Sequence, residues 1–291
     1  IKTDLCIKIF FVILNFMLCK IGIVTNVHSS RLHNSIIRYG YGFNHANTLG
    51  SVIFLIGMYT MYLRKEKLNI ADLLFQLILF LFNYKITTSK TSMIGSLFCF
   101  IFILSSMVFK HLKDKHLKKV WTFIRKQFCF SPLILISLVF IVSYYWVDTN
   151  HIMVFLNKLF TSRIEQGMKV LNYYNPTLFG NNIMRLAWSD VLNGGYNTAL
   201  VGSDISYIYI YSTYGLIPLF LFTCILLFIV KCAYKLNGCA FFCVISLIII
   251  ACIENQYINV GSNIFLMLFS YQIYKKAKQI TISQLINLHH R

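Results

Sequence analysis

The sequence predicts an all-α, polytopic integral membrane protein, and three observations carry that prediction. Of 291 residues, 57% are hydrophobic and only 12% are charged, against roughly 25% charged in soluble domains. Apolar runs recur along the whole length, which excludes a single water-soluble core. Most charges fall between the runs rather than within them.

Each run is judged against the ~20 mostly apolar residues, with ~17 as a lower limit, that a spanning helix needs. Candidates lie at 5–24, 48–63, 70–86, 93–109, 128–146, 207–230, 239–253 and 260–274. That makes about eight transmembrane helices in a single transmembrane domain over 1–291. Lys8 and Lys20 sit in the first run and read as side chains snorkelling from its ends. The segment is too long for a removed signal peptide and lacks its small-residue cleavage site. Because position 1 is Ile rather than Met, the expectation is either that upstream residues are missing or that the chain starts at a non-standard codon.

The net charge of +18 raises nucleic acid as a partner, but its distribution argues otherwise. With the first helix starting in the cytoplasm, 17 of the 27 Lys/Arg fall on inner segments and 8 on outer ones, the other two being Lys8 and Lys20. This bias predicts both termini in the cytoplasm. The basic excess then reflects topology and attraction to anionic lipid headgroups. No basic face interleaved with aromatics lies outside the membrane, so nucleic-acid binding is not expected.

All nine cysteines lie in or beside the predicted helices. Cys239-x₃-Cys243 matches no zinc spacing and has no nearby histidine, so the cysteines read as small apolar helix residues. Neither a metal nor a cofactor is expected. Phosphate-cradling Gly-rich loops, HExxH and nucleophile elbows are absent from the sequence, as is any DxD-like pair for a metal-bound nucleotide sugar.

Chemistry is therefore expected on the outer surface. Segment 25–47 is polar and rich in Gly, His and Arg, and 84–92 (YKITTSKTS) holds two lysines. The large outer loop at 148–206 far exceeds the usual connection length. Within it Phe155, Leu159, Met168 and Leu171 recur at helical spacing, which predicts amphipathic helices lying on the membrane or capping a cavity. The candidate substrate-binding residues are the outward cations Arg38, Lys90, Arg163 and Arg185, together with Asp204. Such cations suit a polyanionic headgroup such as a diphosphate, which arginine grips through its planar fork. His45 and Glu254 are the candidate catalytic residues, because each is titratable and near a predicted membrane boundary. For every one of these residues, a solvated loop charge or a headgroup contact is the competing reading.

The loops have a recognisable order. RYGYGFNHANTLG at 38–50 opens a membrane helix and resembles the R-x-S-x-G-F-G-H-P-N-T-L-G block of Wzy-type capsule and exopolysaccharide polymerases. TTSKTS at 87–92 resembles the family's x-S-R-T-S block, and FTSR at 160–163 with TLFG at 177–180 resembles its T-G-R…T-L-F-G elements. DISY at 204–207 and YGLIP at 214–218 resemble D-N-S-Y…Y-G-I-I-P, while Glu254 falls where the family carries a late Glu-Asn. The departures are Ala46 for proline, Asn44 for glycine and Lys90 for arginine, the last keeping charge but losing the fork. Family members usually have ten or more helices.

The resemblance implies a metal-independent membrane glycosyltransferase of the bacterial cytoplasmic membrane. Its substrates would be oligosaccharide repeat units carried on undecaprenyl diphosphate, with flippase and chain-length-regulator proteins as partners. In the implied roles Arg38 and Arg163 hold the departing diphosphate, and His45 deprotonates or orients the acceptor hydroxyl, with Glu254 as the competing base. An O-antigen-ligase-like transferase shares this apparatus. A polysaccharide flippase or transporter would instead show charged or broken helix centres and two related halves, and a non-catalytic membrane subunit would tolerate every outer Arg/His substitution.

Overall fold

The computed structural model describes residues 1–31, 34–65, 67–111, 115–183 and 202–255. Arg185 and the candidate helix at 260–274 lie outside the described residues. The described chain is helical apart from one two-stranded antiparallel hairpin, β1 (His28–Arg31) and β2 (Asn34–Tyr39).

Helix α1 (Lys2–Ile21) ends at Gly22, whose left-handed conformation (φ 83°) lets the chain turn back while its N–H bonds to Cys19 O. Its length suffices for a span, but Lys2, Asp4, Lys8 and Lys20 make it too polar to rank with the others. The hairpin follows and pairs Ser29 with Arg38. Helices α2 (Ala46–Arg64), α3 (Ile70–Phe82) and α4 (Lys90–His111) then cross back and forth. The α2–α3 turn is closed by a capping box, with Asp72 N–H donating to Asn69 at 3.1 Å and Arg64 Nε bonding Asp72 at 3.0 Å. A π-helical turn (Asn83–Thr87) prolongs α3.

The basic, amphipathic α5 (Lys115–Gln127) leads through a short 3₁₀ turn into α6 (Ser131–Tyr144), which admits Pro132 at its second position. The outer loop forms α7 (His151–Leu159) and α8 (Arg163–Tyr173), so helices occupy the stretch where amphipathic periodicity places them. Three more helices complete the fold: α9 (Ser206–Tyr214), α10 (Leu216–Leu236) and α11 (Gly238–Ala251).

Among the described residues, five helices are long and apolar enough to cross a membrane: Ala46–Arg64, Ile70–Thr87, Lys90–Val108, Arg125–Tyr144 and Leu216–Leu236. The protein is thus membrane-embedded. The expected helix at 207–230 is corrected, because Gly215 breaks it. With φ 96° and ψ −175°, Gly215 adopts a conformation open essentially to glycine alone. The apolar run is continuous, and only the backbone conformation divides it.

The freed backbone groups at this break are taken up by the loop segment 177–181. Leu216 N–H donates to Thr177 O at 3.0 Å and Ile217 N–H to Leu178 O at 3.1 Å, satisfying the exposed N–H groups at the start of α10. Asn181 N–H donates to Ser212 O at 3.1 Å, satisfying a carbonyl at the end of α9. A methyl group on Gly215 would meet Leu178 O at 2.5 Å, so the two strands of chain approach as closely as backbone allows.

Packing forms two main cores that share α11. Its residues Cys239, Cys243, Leu247 and Ile250 face α1, α2, α3 and α4, where Phe54, Met58 and Tyr59 are enclosed. Ala240, Phe241, Val244, Ile245 and Ile248 face α6, α9 and α10. A helix apolar on every side belongs in such a position. Within the first core small residues permit close helix contact: a Cβ at Gly50 would lie 2.9 Å from Ser92 Oγ, and Gln76 Nε2 bonds Gly57 O at 2.7 Å.

The alternating helices put Arg64, Lys65, Arg125, Lys126, Lys231 and Lys235 at one end of the bundle. Cys239 Sγ reaches Lys65 O at 2.7 Å there, and the Arg125 guanidinium lies over the Tyr234 ring at 5.2 Å. The hairpin, the π turn, α7, α8 and the segment after α11 gather at the other end.

Candidate functional site

Six separated stretches of chain deliver side chains to that other end. Strand β2 supplies Arg38, the start of α2 supplies His45 and Asn47, the start of α4 supplies Lys90 and Thr91, the start of α8 supplies Arg163, and residues 204–206 with Glu254 close the site. These are the stretches picked out by sequence on the described part of the chain.

The centre is a buried ion pair. Arg163 Nη2 donates to Glu254 Oε1 at 2.5 Å, the two residues being 8% and 6% exposed. Arg163 Nη1 also donates to Thr91 Oγ1 at 3.1 Å, and Nε lies 3.4 Å from Asp204 Oδ2. Thr91 Oγ1 donates in turn to Glu254 Oε1 at 3.4 Å. Burying two charges is costly unless the pair is well aligned and further hydrogen bonds satisfy it. All three guanidinium nitrogen positions are so satisfied.

A second arginine joins the same carboxylate through Asn47. Arg38, only 6% exposed, donates from Nη2 to Asn47 Oδ1, and Asn47 Nδ2 donates to Glu254 Oε1 at 3.5 Å. Arg38 Nε caps the π turn by donating to Thr87 O at 3.2 Å. The network therefore runs Arg38, Asn47, Glu254, Arg163, Asp204. Ser206 fixes the backbone at Glu254, with Oγ donating to Glu254 O at 2.7 Å. Among the described residues, the three bonds to the carboxylate all end on Oε1 and none on Oε2.

Burial raises the pKa of Glu254 above its ordinary value; Arg163 opposes this and Asp204 adds to it. His45 stands at the exposed N-terminus of α2, where its Nδ1 accepts from Asn47 N–H at 3.0 Å and caps the helix. Its pKa is lowered first by burial of the ring and then by Arg38 and Arg163, with Asp204 pulling the other way. Together these influences favour the uncharged ring.

The corner that presents Arg163 depends on a residue outside the sequence candidates. Asn157 of α7 accepts from Glu165 N–H at 3.1 Å and donates to Glu165 Oε2 at 3.3 Å, binding α7 to the first turn of α8. Between them Thr161 and Ser162 both have positive φ. Polar residues flanking the FTSR turn at 160–163 are the signal that points to such a corner. Asn47 and Thr91 also belong to the site; both lie inside the quoted blocks, and their partners became visible only in three dimensions.

Lys90 sits beside the Arg–Glu network. Its Nζ donates to Lys158 O at 3.1 Å, tying α4 to α7 beside the site. Arg185 lies outside the described residues. Among the described residues, no group of three or more His, Cys, Asp or Glu is placed to hold a metal ion. Comparisons with family models, with curated proteins and with solved structures give no match.

Proposed function

We propose that this protein is a polysaccharide polymerase that joins oligosaccharide repeat units carried on a polyprenyl diphosphate, working at the outer face of a bacterial cytoplasmic membrane. The observation that carries the reading is the meeting of Arg38, Asn47, Thr91, Arg163, Asp204 and Glu254, drawn from every family-like block, around one carboxylate. A second support is the separation of this cluster from the basic end of the bundle, which positive-inside orientation assigns to the cytoplasm.

In the reaction a sugar hydroxyl of one unit attacks the anomeric carbon of the other. A new carbon–oxygen bond forms, the bond to the diphosphate breaks with its electron pair, and undecaprenyl diphosphate leaves. Arg38, with Lys90 nearby, supplies positive charge for the departing diphosphate, whose charge grows in the transition state. Each guanidinium nitrogen of Arg163 has a protein acceptor, and Arg163 holds Glu254 in place. The buried, raised-pKa carboxylate is suited to take a proton.

The test is deletion of the gene and analysis of surface glycan by gel. The reading predicts products of a single repeat unit in place of a ladder. Long, unattached chains would identify a ligase instead, and an unchanged ladder would remove the protein from glycan assembly.

A further inference from the structure

His45 has two ring nitrogens, and the fold has already used one. Asn47 N–H donates to Nδ1 at 3.0 Å, so Nδ1 carries a lone pair and the proton of the neutral ring sits on Nε2. Taking up a proton at Nδ1 would break the cap on α2. Taking one up at Nε2 is impossible while that nitrogen already bears hydrogen. The residue that bonds Nδ1 is Asn47, whose side chain bridges Arg38 and Glu254, which places the ring beside the Arg–Glu network. Glu254, by contrast, accepts three hydrogen bonds on Oε1 and, among the described residues, none on Oε2.

Building on the polymerase reading, we infer that His45 acts as a hydrogen-bond donor from Nε2 to the departing diphosphate, and that Glu254 Oε2 receives the proton of the attacking hydroxyl. The balance is closed without proton transfer at His45. The hydroxyl proton ends on Glu254, the electron pair of the broken bond ends on the diphosphate oxygen, and the neutral imidazole stabilises that oxygen through its N–H. His45 also presets the geometry, because the bond that fixes its tautomer is the one that starts α2.

Two substitutions separate the functions of the ring. Gln reaches the position of Nε2 with an amide N–H but neither caps well nor titrates. Asn caps well but falls short of the Nε2 position. Polymer formation is measured in membranes holding the strain's own lipid-linked repeat units, at matched protein level, from about pH 5 to 8, across the range where histidine titrates. The inference predicts that His45→Gln stays within about tenfold of wild type with an unshifted acid limb, and that His45→Asn falls well below it.

Equal losses of about 10²–10⁴ in both variants, the usual worth of a general base, would overturn the inference. So would wild-type activity in His45→Asn, which would leave only a capping role. Failure of the polymerase reading is recognised separately, because Glu254→Gln and Arg163→Ala would then leave the glycan ladder unchanged whatever His45 does.

Discussion

Replacing Gly215 with alanine is expected to damage the fold severely. Two terms contribute. Gly215 has φ 96° with extended ψ, a conformation that costs a non-glycine residue about 1–3 kcal/mol. The new methyl would also lie 2.5 Å from Leu178 O and 2.6 Å from Leu178 C, and would press on Gly180 N as well. All of these are backbone atoms, so no flexible side chain can yield. Relief requires pulling 177–181 off the break and losing the bonds to Leu216 and Ile217 N–H, each worth about 1 kcal/mol. The combined cost is roughly 3–5 kcal/mol, a large part of an ordinary stability of 5–15 kcal/mol. Gly22→Ala is the control: φ is also positive, at 83°, but nothing lies within 4 Å of the added carbon. Its expected cost is only the left-handed penalty of about 1 kcal/mol. Thermal unfolding of the purified protein in detergent measures both. Equal melting temperatures for the two variants would refute the close backbone contact between 177–181 and Gly215.

Three further outcomes follow. Because the pKa of folded His45 lies below 6.5, the folded state binds fewer protons there than the unfolded chain; its stabilising contribution is present above pH 6.5 and is lost as pH falls through the folded value. His45→Asn should remove that part of the acid sensitivity in melting curves. Reporter fusions after Lys115 should read cytoplasmic and one after Asp148 external, and an external signal at Lys115 would invert the orientation. Chelators should leave the transfer step intact in purified protein, and loss of activity restored by one divalent ion would contradict the proposed chemistry.

Much of the fold was legible because a spanning helix announces itself by apolar length alone. The runs at 48–63, 70–86, 93–109 and 128–146 all correspond to helices. The break at Gly215 was hidden, since Tyr207 to Val230 holds no charged residue and the backbone partner of the break lies at 177–181. The hairpin around Arg38 was hidden too, because short strands inside a polar segment leave almost no periodic signal. At the site, the sequence located Arg38, Arg163, Asp204 and Glu254 as charged outliers near membrane boundaries. It could not pair them. Arg163 and Glu254 are 91 positions apart and meet only after the helices pack, so the sequence showed Arg163 as an outward cation without its acceptors. Thr91 and Asn157 carry no charge, and their contributions depend on geometry alone.

The central claim is that the carboxylate gathered by Arg163, Thr91 and Asn47 performs glycan transfer, and Glu254→Gln tests it most directly. The substitution keeps the shape and an acceptor oxygen for Arg163 while removing the proton-accepting charge. Measured as glycan ladder length in a deletion strain carrying the variant, with membrane protein level matched by blot, the account predicts single-repeat products from folded protein. A wild-type ladder from Glu254→Gln would contradict it.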